Sequence, residues 1–140
     1  MKSILIDAGP LIALFDRSDK YHLKAMQFIK EFEGELWTTW PVVTEVSHML
    51  DFNIRVQLNF LTWIERGGLK LFDLDHSHLY RFTELIARFD DVPMDLADAS
   101  LIVVSEVMNY KEIASIDSDF YIYRNIRNQY LTNIFMAGSV

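Results

Sequence analysis

The sequence contains no cysteine, so disulfides and thiolate-bound metal centres are excluded, and a metal held by its side chains must be bound through carboxylate, imidazole or carbonyl groups. Such a chain is compatible with the cytosol, its expected location. No apolar run approaches the roughly 20 residues of a membrane-spanning helix, because charges recur throughout, and no membrane partner is expected. Lys2 before an apolar stretch has the outline of a signal peptide, but Asp7 lies inside the stretch and Asp16 ends it, so it reads as a strand. Gly/Ser linkers, single-sign charge blocks, low-complexity tracts and internal repeats are also missing. With 140 residues, 51% of them hydrophobic, the expectation is one domain over residues 1–140 with a substantial core. An excess of lysine and arginine is lacking too. The net charge of −7 argues against a broad basic surface for nucleic acid. That objection weakens if acids share one site: setting aside four gathered carboxylates leaves −3 of the −7, and a divalent cation makes the balance more positive still.

What is present is a chain of alternating patterns. Ser3 to Asp7 reads as a buried strand, Ala8-Gly9-Pro10 as a turn, and Leu11 to Phe15 as the start of a helix. Ala25, Phe28, Ile29 and Phe32 recur at helical spacing before Gly34, and Glu35 to Trp40 is rich in strand-forming residues. Pro41 suits the first turn of a helix through Leu50, and Val56, Phe60, Trp63 and Ile64 share one face of a helix closed by Gly67-Gly68. Leu69 to Leu74 reads as a strand and His78 to Phe89 as an amphipathic helix. Asp95 to Asn109 is apolar almost all round, which predicts a central helix buried on more than one side. Glu112 to Asp117 is the next strand, and Tyr130 to Phe135 an edge strand. Strands alternating with helices predict an α/β fold, a three-layer sandwich with a mainly parallel central sheet.

In such sheets ligands bind beyond the carboxyl ends of the strands. Asp7 and Asp117 close strands, while Glu45 and Asp98 fall near the amino-terminal ends of helices, where negative charge is favoured. All four are therefore expected at one edge. Clustered carboxylates raise one another's pKa unless cations neutralise them, and oxygen-only ligands suit Mg²⁺ or Mn²⁺. Such ions activate water for phosphodiester hydrolysis.

Asp7-Ala8-Gly9-Pro10-Leu11-Ile12-Ala13-Leu14, Thr44-Glu45-Val46, Leu96-Ala97-Asp98-Ala99 and Ser115-Ile116-Asp117-Ser118-Asp119-Phe120 resemble, in order, the four acidic motifs of PIN domains of the VapC type. The resemblance covers nearly the whole chain. It implies a PIN-like fold and an endoribonuclease dependent on Mg²⁺ or Mn²⁺, with Asp7, Glu45, Asp98 and Asp117 as catalytic acids and metal ligands. It also implies RNA as substrate, homodimerisation, and a small antitoxin partner of a type II toxin–antitoxin pair. The sequence departs from its relatives at Ala8-Gly9, where a hydroxyl residue often follows the first aspartate, and at Ser115, where threonine is common. In the last motif Asp117 leads and Asp119 is a second metal candidate, on the same side of an extended chain.

Each acid also has an ordinary reading. Asp95 fits a helix N-cap with Asp98 as a first-turn charge, and Glu45 fits a helix-dipole partner. His22, His48, His76 and His78 lack the spacing of a zinc pair and are not assigned to metal. Trp37, Trp40 and Trp63 read as core or interface, and Arg55, Arg124 and Arg127 as surface residues of which Arg124 and Arg127 are the candidates for substrate phosphate. Two alternatives remain: a catalytically inactive PIN-like module that binds RNA or protein, and a receiver-type phosphotransfer domain, disfavoured by the lack of a lysine near the last strand's end.

Overall fold

The structure is a computed structural model that describes residues 2–136. Strand β1 (Ser3–Ile6) is followed by α1 (Ala8–Phe15), α2 (His22–Glu31), β2 (Glu35–Thr38), α3 (Trp40–Met49), α4 (Ile54–Glu65) and β3 (Lys70–Leu71). Then come α5 (Leu79–Arg88), α6 (Leu96–Met108), β4 (Glu112–Ala114) and β5 (Thr132–Asn133). The five strands form one sheet in the order β3-β2-β1-β4-β5, every pair parallel. From β1 the chain steps one way to β2 and β3, then crosses back to β4 and β5. Right-handed crossovers in opposite directions put their helices on opposite faces of the sheet, which is the three-layer arrangement. Burial agrees: Ile4, Leu5 and Ile6 are at most 1% exposed, and successive strand residues face opposite sides. The reversal lies between β1 and β4, where splayed connections leave a crevice at the carboxyl ends of the strands.

Helix α6 is buried continuously from Ala97 to Ser105, as its all-round apolar pattern predicts. Five elements, α1 and the strands β2 to β5, differ in their bounds from the sequence reading. Helix α1 begins at Ala8, directly after Asp7 as N-cap, so Ala8-Gly9-Pro10 is its first turn and not a separate one. Proline is tolerated there because the first helical N–H groups have no intrahelical acceptor. Gly9 lies close under Ile116: a Cβ on it would be 3.1 Å from that side chain, which would have to shift by a few tenths of an ångström. Strand β2 stops at Thr38 and Trp40 opens α3. The edge strands β3 and β5 are two residues each, shorter than their apolar patterns, since each has a neighbour on one side only. Strand β4 ends at Ala114, three residues before Asp117. There the Asn133 side chain replaces the ladder, accepting from the Ser115 N–H (3.3 Å) and donating to the Ser115 carbonyl (2.8 Å). Freed from the sheet, the chain turns into a 3-10 segment, Ser118–Tyr121, with Asp117 as its cap.

Trp37 and Trp63 are partly buried against the core, their rings 6.1 Å from Tyr110 and 5.5 Å from Phe15 respectively, whereas Trp40 is 59% exposed. Among the described residues no helix is long and apolar enough to cross a membrane.

One part-buried ion pair ties the later elements together. Arg81 on α5 grips both oxygens of Glu106 on α6 (2.9 and 2.7 Å), and Glu106 also accepts from the Ile126 N–H (2.7 Å). Their side chains are 13% and 8% exposed, so removing one partner strands the other in a poorly solvated place. Glu106→Ala is expected to cost about 3 kcal/mol in urea unfolding. A loss below about 0.5 kcal/mol would show that the pair is solvated in solution.

Candidate metal centre

Three carboxylates meet in the crevice. Asp7, Asp98 and Asp117 each present an oxygen within 4.8 Å of the others. Different elements deliver them. Asp7 follows β1, where its N–H still donates to the Ala114 carbonyl (2.9 Å), fixing it beside the end of β4. Asp98 sits in the first turn of α6, locked by a capping box: its N–H donates to Asp95 Oδ1 (2.8 Å) and its Oδ2 accepts from the Asp95 N–H (3.3 Å). Asp98 thus takes part in the Asp95 capping box and in the three-carboxylate group at once. Asp117 follows β4 and uses Oδ1 to accept from the Asp119 N–H (2.9 Å).

The Ser115 hydroxyl joins two of the three. It donates to Asp7 Oδ2 (3.1 Å) and accepts from the Asp117 N–H (2.9 Å). The Tyr123 hydroxyl donates to the Pro93 carbonyl (2.8 Å) and lies 3.5 Å from Asp98 Oδ2, bracing the approach to α6. Beneath the crevice the Thr39 and Ser100 hydroxyls, 2.6 Å apart, tie the start of α3 to α6. In the sequence Ser115 stands out only as a departure from the last motif, and nothing there singles out Tyr123, Thr39 or Ser100. No spacing rule announces a hydroxyl whose partner is far away in sequence.

Glu45 and Asp119 lie outside the three-oxygen group. Glu45 stands on α3 in the wall of an open cleft of about 710 Å³ that it shares with Trp40, Thr44, His48, Asp95 and Leu96. Asp119 is in the 3-10 turn, so the extended chain expected to align it with Asp117 is absent. None of the four histidines joins the three-oxygen group: His22 Nδ1 contacts the Ala13 carbonyl (2.7 Å), His78 accepts from the Asp75 N–H, His48 lines the Glu45 cleft near Asp51, and His76 is exposed. Arg124 and Arg127 lie on the segment beyond, where Arg124 Nη1 donates to the Tyr121, Ile122 and Tyr123 carbonyls.

The electrostatics follow from this crowding. Asp7 is 7% exposed, and burial, with smaller contributions from Glu45 and Asp117, pushes its carboxyl up to about 7 although Ala8 N–H and Ser115 pull it down. Asp98 is pushed up to about 8 by burial and by the charges of Asp95 and Asp7. Partial burial and the charges of Asp95 and Asp117 raise Glu45, and burial and Asp117 raise Asp119. The Tyr123 hydroxyl is raised as well, by burial first and then by Asp98. Among the described residues no lysine, arginine or histidine forms an ion pair with Asp7, Asp98 or Asp117. Converging carboxylate oxygens without a protein cation are the donor set of a hard divalent ion, and Mg²⁺ or Mn²⁺ fits it.

Two outcomes follow. A raised carboxyl pKa means that the folded state binds the proton more tightly than the unfolded chain. The resulting stability is complete below about pH 4 and is lost as pH rises through about 7 to 8. Without divalent ions the protein should therefore lose on the order of 3 kcal/mol between pH 5.5 and 8.5, and Mn²⁺ should restore far more at the upper pH. A flat thermal-melting profile contradicts this. Ser115→Ala should weaken Mn²⁺ binding by about 10- to 100-fold in calorimetry while Ser115→Thr retains it; equal affinity in all three proteins would remove Ser115 from the site.

Comparison with known proteins agrees with this geometry. The PIN domain family model matches residues 4–125. In fold the chain is similar to the VapC20 toxin of Mycobacterium tuberculosis, a sarcin-ricin loop cleaving toxin, with a TM-score of 0.78 at 17% identity over 85% of this chain and 93% of that one. It is also similar to a chain of VapBC2 from Rickettsia felis, solved bound to a DNA fragment from their promoter, with a TM-score of 0.64 at 12% identity over 94% of this chain and 98% of that one. No curated protein matches it in sequence. A family model running from β1 past the last of the four acidic motifs, on a sheet that brings three of their acids together, makes this chain a member of the PIN domain family.

Proposed function

We propose that this protein is a metal-dependent endoribonuclease of the VapC-like toxin type, cleaving RNA phosphodiester bonds at the Asp7–Asp98–Asp117 cluster. One observation carries the reading: three buried or half-buried carboxylates, from three separate parts of the fold, share a space that holds no protein cation among the described residues. A bound Mg²⁺ or Mn²⁺ would acidify a water molecule and neutralise charge on the phosphate. Asp7, Asp98 and Asp117 hold the ion in this reading. Ser115 orients Asp7 Oδ2 and the backbone of Asp117, and the Asp95 N–H orients Asp98 Oδ2. Glu45, on the open side of the crevice with its proton affinity raised, is suited to take up at its carboxylate the proton released by the attacking water. Asp119 adds negative charge at the rim, and its N–H fixes Asp117 Oδ1.

The same reading carries a small antitoxin and a second copy of this chain as partners, and it places the protein in the cytoplasm. The similarity to VapBC2 supports a protein partner of the antitoxin kind.

The test is cleavage of a pool of structured and unstructured RNAs. Activity should require Mn²⁺ or Mg²⁺ and should fall by about 10²-fold or more in Asp98→Asn. RNAs left intact by wild type in Mn²⁺, together with unchanged growth on expression of either protein, would instead indicate the inactive binding module.

A further inference from the structure

Every one of the 20 acidic residues lies at or before Asp119; from Phe120 onward the sequence has arginines, carboxamides and tyrosines but no aspartate or glutamate. The structure folds part of this stretch around a cavity of about 420 Å³ lined by Lys111, Arg124, Asn128, Gln129, Tyr130 and Thr132, among others. Lys111 stands at the amino end of β4, whereas the carboxylate cluster forms beyond its carboxyl end. Lys111 lies six positions before Asp117, which limits the span to about 20 Å, within reach of a short single strand.

The cavity is built and fixed. Thr132 N–H donates to the Lys111 carbonyl (2.9 Å), and Asn125 Oδ1 accepts from the N–H groups of Arg127 (2.9 Å) and Gln129 (3.1 Å), shaping a turn with Asn128 left-handed at φ 59°. Arg124 is held by three carbonyls through Nη1 and lies over the Tyr130 ring, 4.8 Å from its centroid. Its Nε and Nη2, like the Lys111 ammonium, have no partner among the described residues. The nearby Glu106 is already neutralised by Arg81. An ammonium, a guanidinium, three carboxamides and two hydroxyls line one hollow without a carboxylate, which is the chemistry of a phosphate site.

We propose that this cavity is a phosphodiester-binding subsite for single-stranded RNA, remote from the point of cleavage, with Lys111 and Arg124 as its charges and Tyr130 as an aromatic edge. It deepens the ribonuclease reading and rests on it. It also meets the objection raised by the charge of −7, because the segment that bounds the cavity is the acid-free part of the chain.

The probe is a fluorescently labelled, unstructured RNA bound to the full-length protein in EDTA, so that nothing is cut. Lys111→Glu should weaken binding about tenfold and reduce the slope of log affinity against log salt by about 0.7, the share of one phosphate contact with a single strand. Lys111→Arg should bind like wild type. Lys30→Glu makes the same charge change on the exposed face of α2 and should stay within about twofold. Equal weakening by Lys111→Glu and Lys30→Glu, or none in either, overturns the subsite. Polyglutamate that binds as tightly as RNA, and is lost in Lys111→Glu, overturns the RNA assignment in favour of an acidic protein segment. Adding Mn²⁺ to the same RNA tests the nuclease separately: RNA bound through Lys111 yet never cut removes the enzyme and leaves the subsite, and RNA cut but indifferent to Lys111 does the reverse.

Discussion

Repulsion between carboxylates is the interaction on which the site depends. Asp7, Asp98 and Asp117 are held with oxygens within 4.8 Å of each other where water is scarce, and no neighbouring side chain among the described residues pairs with their charge. Such an arrangement has two ways to relax. Its members take up protons, as the upward shifts of Asp7 and Asp98 express, or a cation enters. Hydrogen bonds from Ser115, Asp95 and Asp119 keep the acids from relaxing by rotating away. The fold thus holds charge in a place that a divalent ion would stabilise, and binding of such an ion would be coupled to proton release.

The sheet makes this geometry possible. Reversal of strand order between β1 and β4 opens a crevice at their carboxyl ends, and the N–H of Asp7 bonded to the Ala114 carbonyl fixes the two strand ends in register. The amino-terminal turns of α1, α3 and α6 face the same edge, where the positive ends of their dipoles favour negative charge. Gly9 lets α1 pass close to Ile116, and Asn133 of β5 holds the main chain of Ser115. An edge strand of two residues therefore contributes to the site by shaping the loop that carries Asp117.

Much of this was legible in the sequence, because apolar periodicity decides whether a segment is helix or strand and where its buried face lies. The continuous burial of α6 follows directly from its lack of a polar face, and Asp7 and Asp98 follow from acids placed at the ends of such elements. Three features were not legible. Helix α1 absorbs Ala8-Gly9-Pro10 since the first helical turn needs no N–H donors, so a turn-like tripeptide does not mark a turn there. Asp119 departs from Asp117 because Asn133, 18 residues beyond Ser115, ends the ladder early. Glu45 sits on the second turn of α3, and a local sequence pattern does not determine how far a long side chain reaches across a cleft. Ser115 was readable as a residue of the last motif, but its role as the bridge between two acids required the structure.

The most direct test of the account is anomalous diffraction from crystals grown with Mn²⁺ at pH 8. One peak is expected, bonded to oxygens of Asp7, Asp98 and Asp117 at about 2.0–2.3 Å, metal–ligand distances typical of hard divalent cations. Manganese bound elsewhere, with those three carboxylates turned apart or hydrogen-bonded to one another, would contradict it.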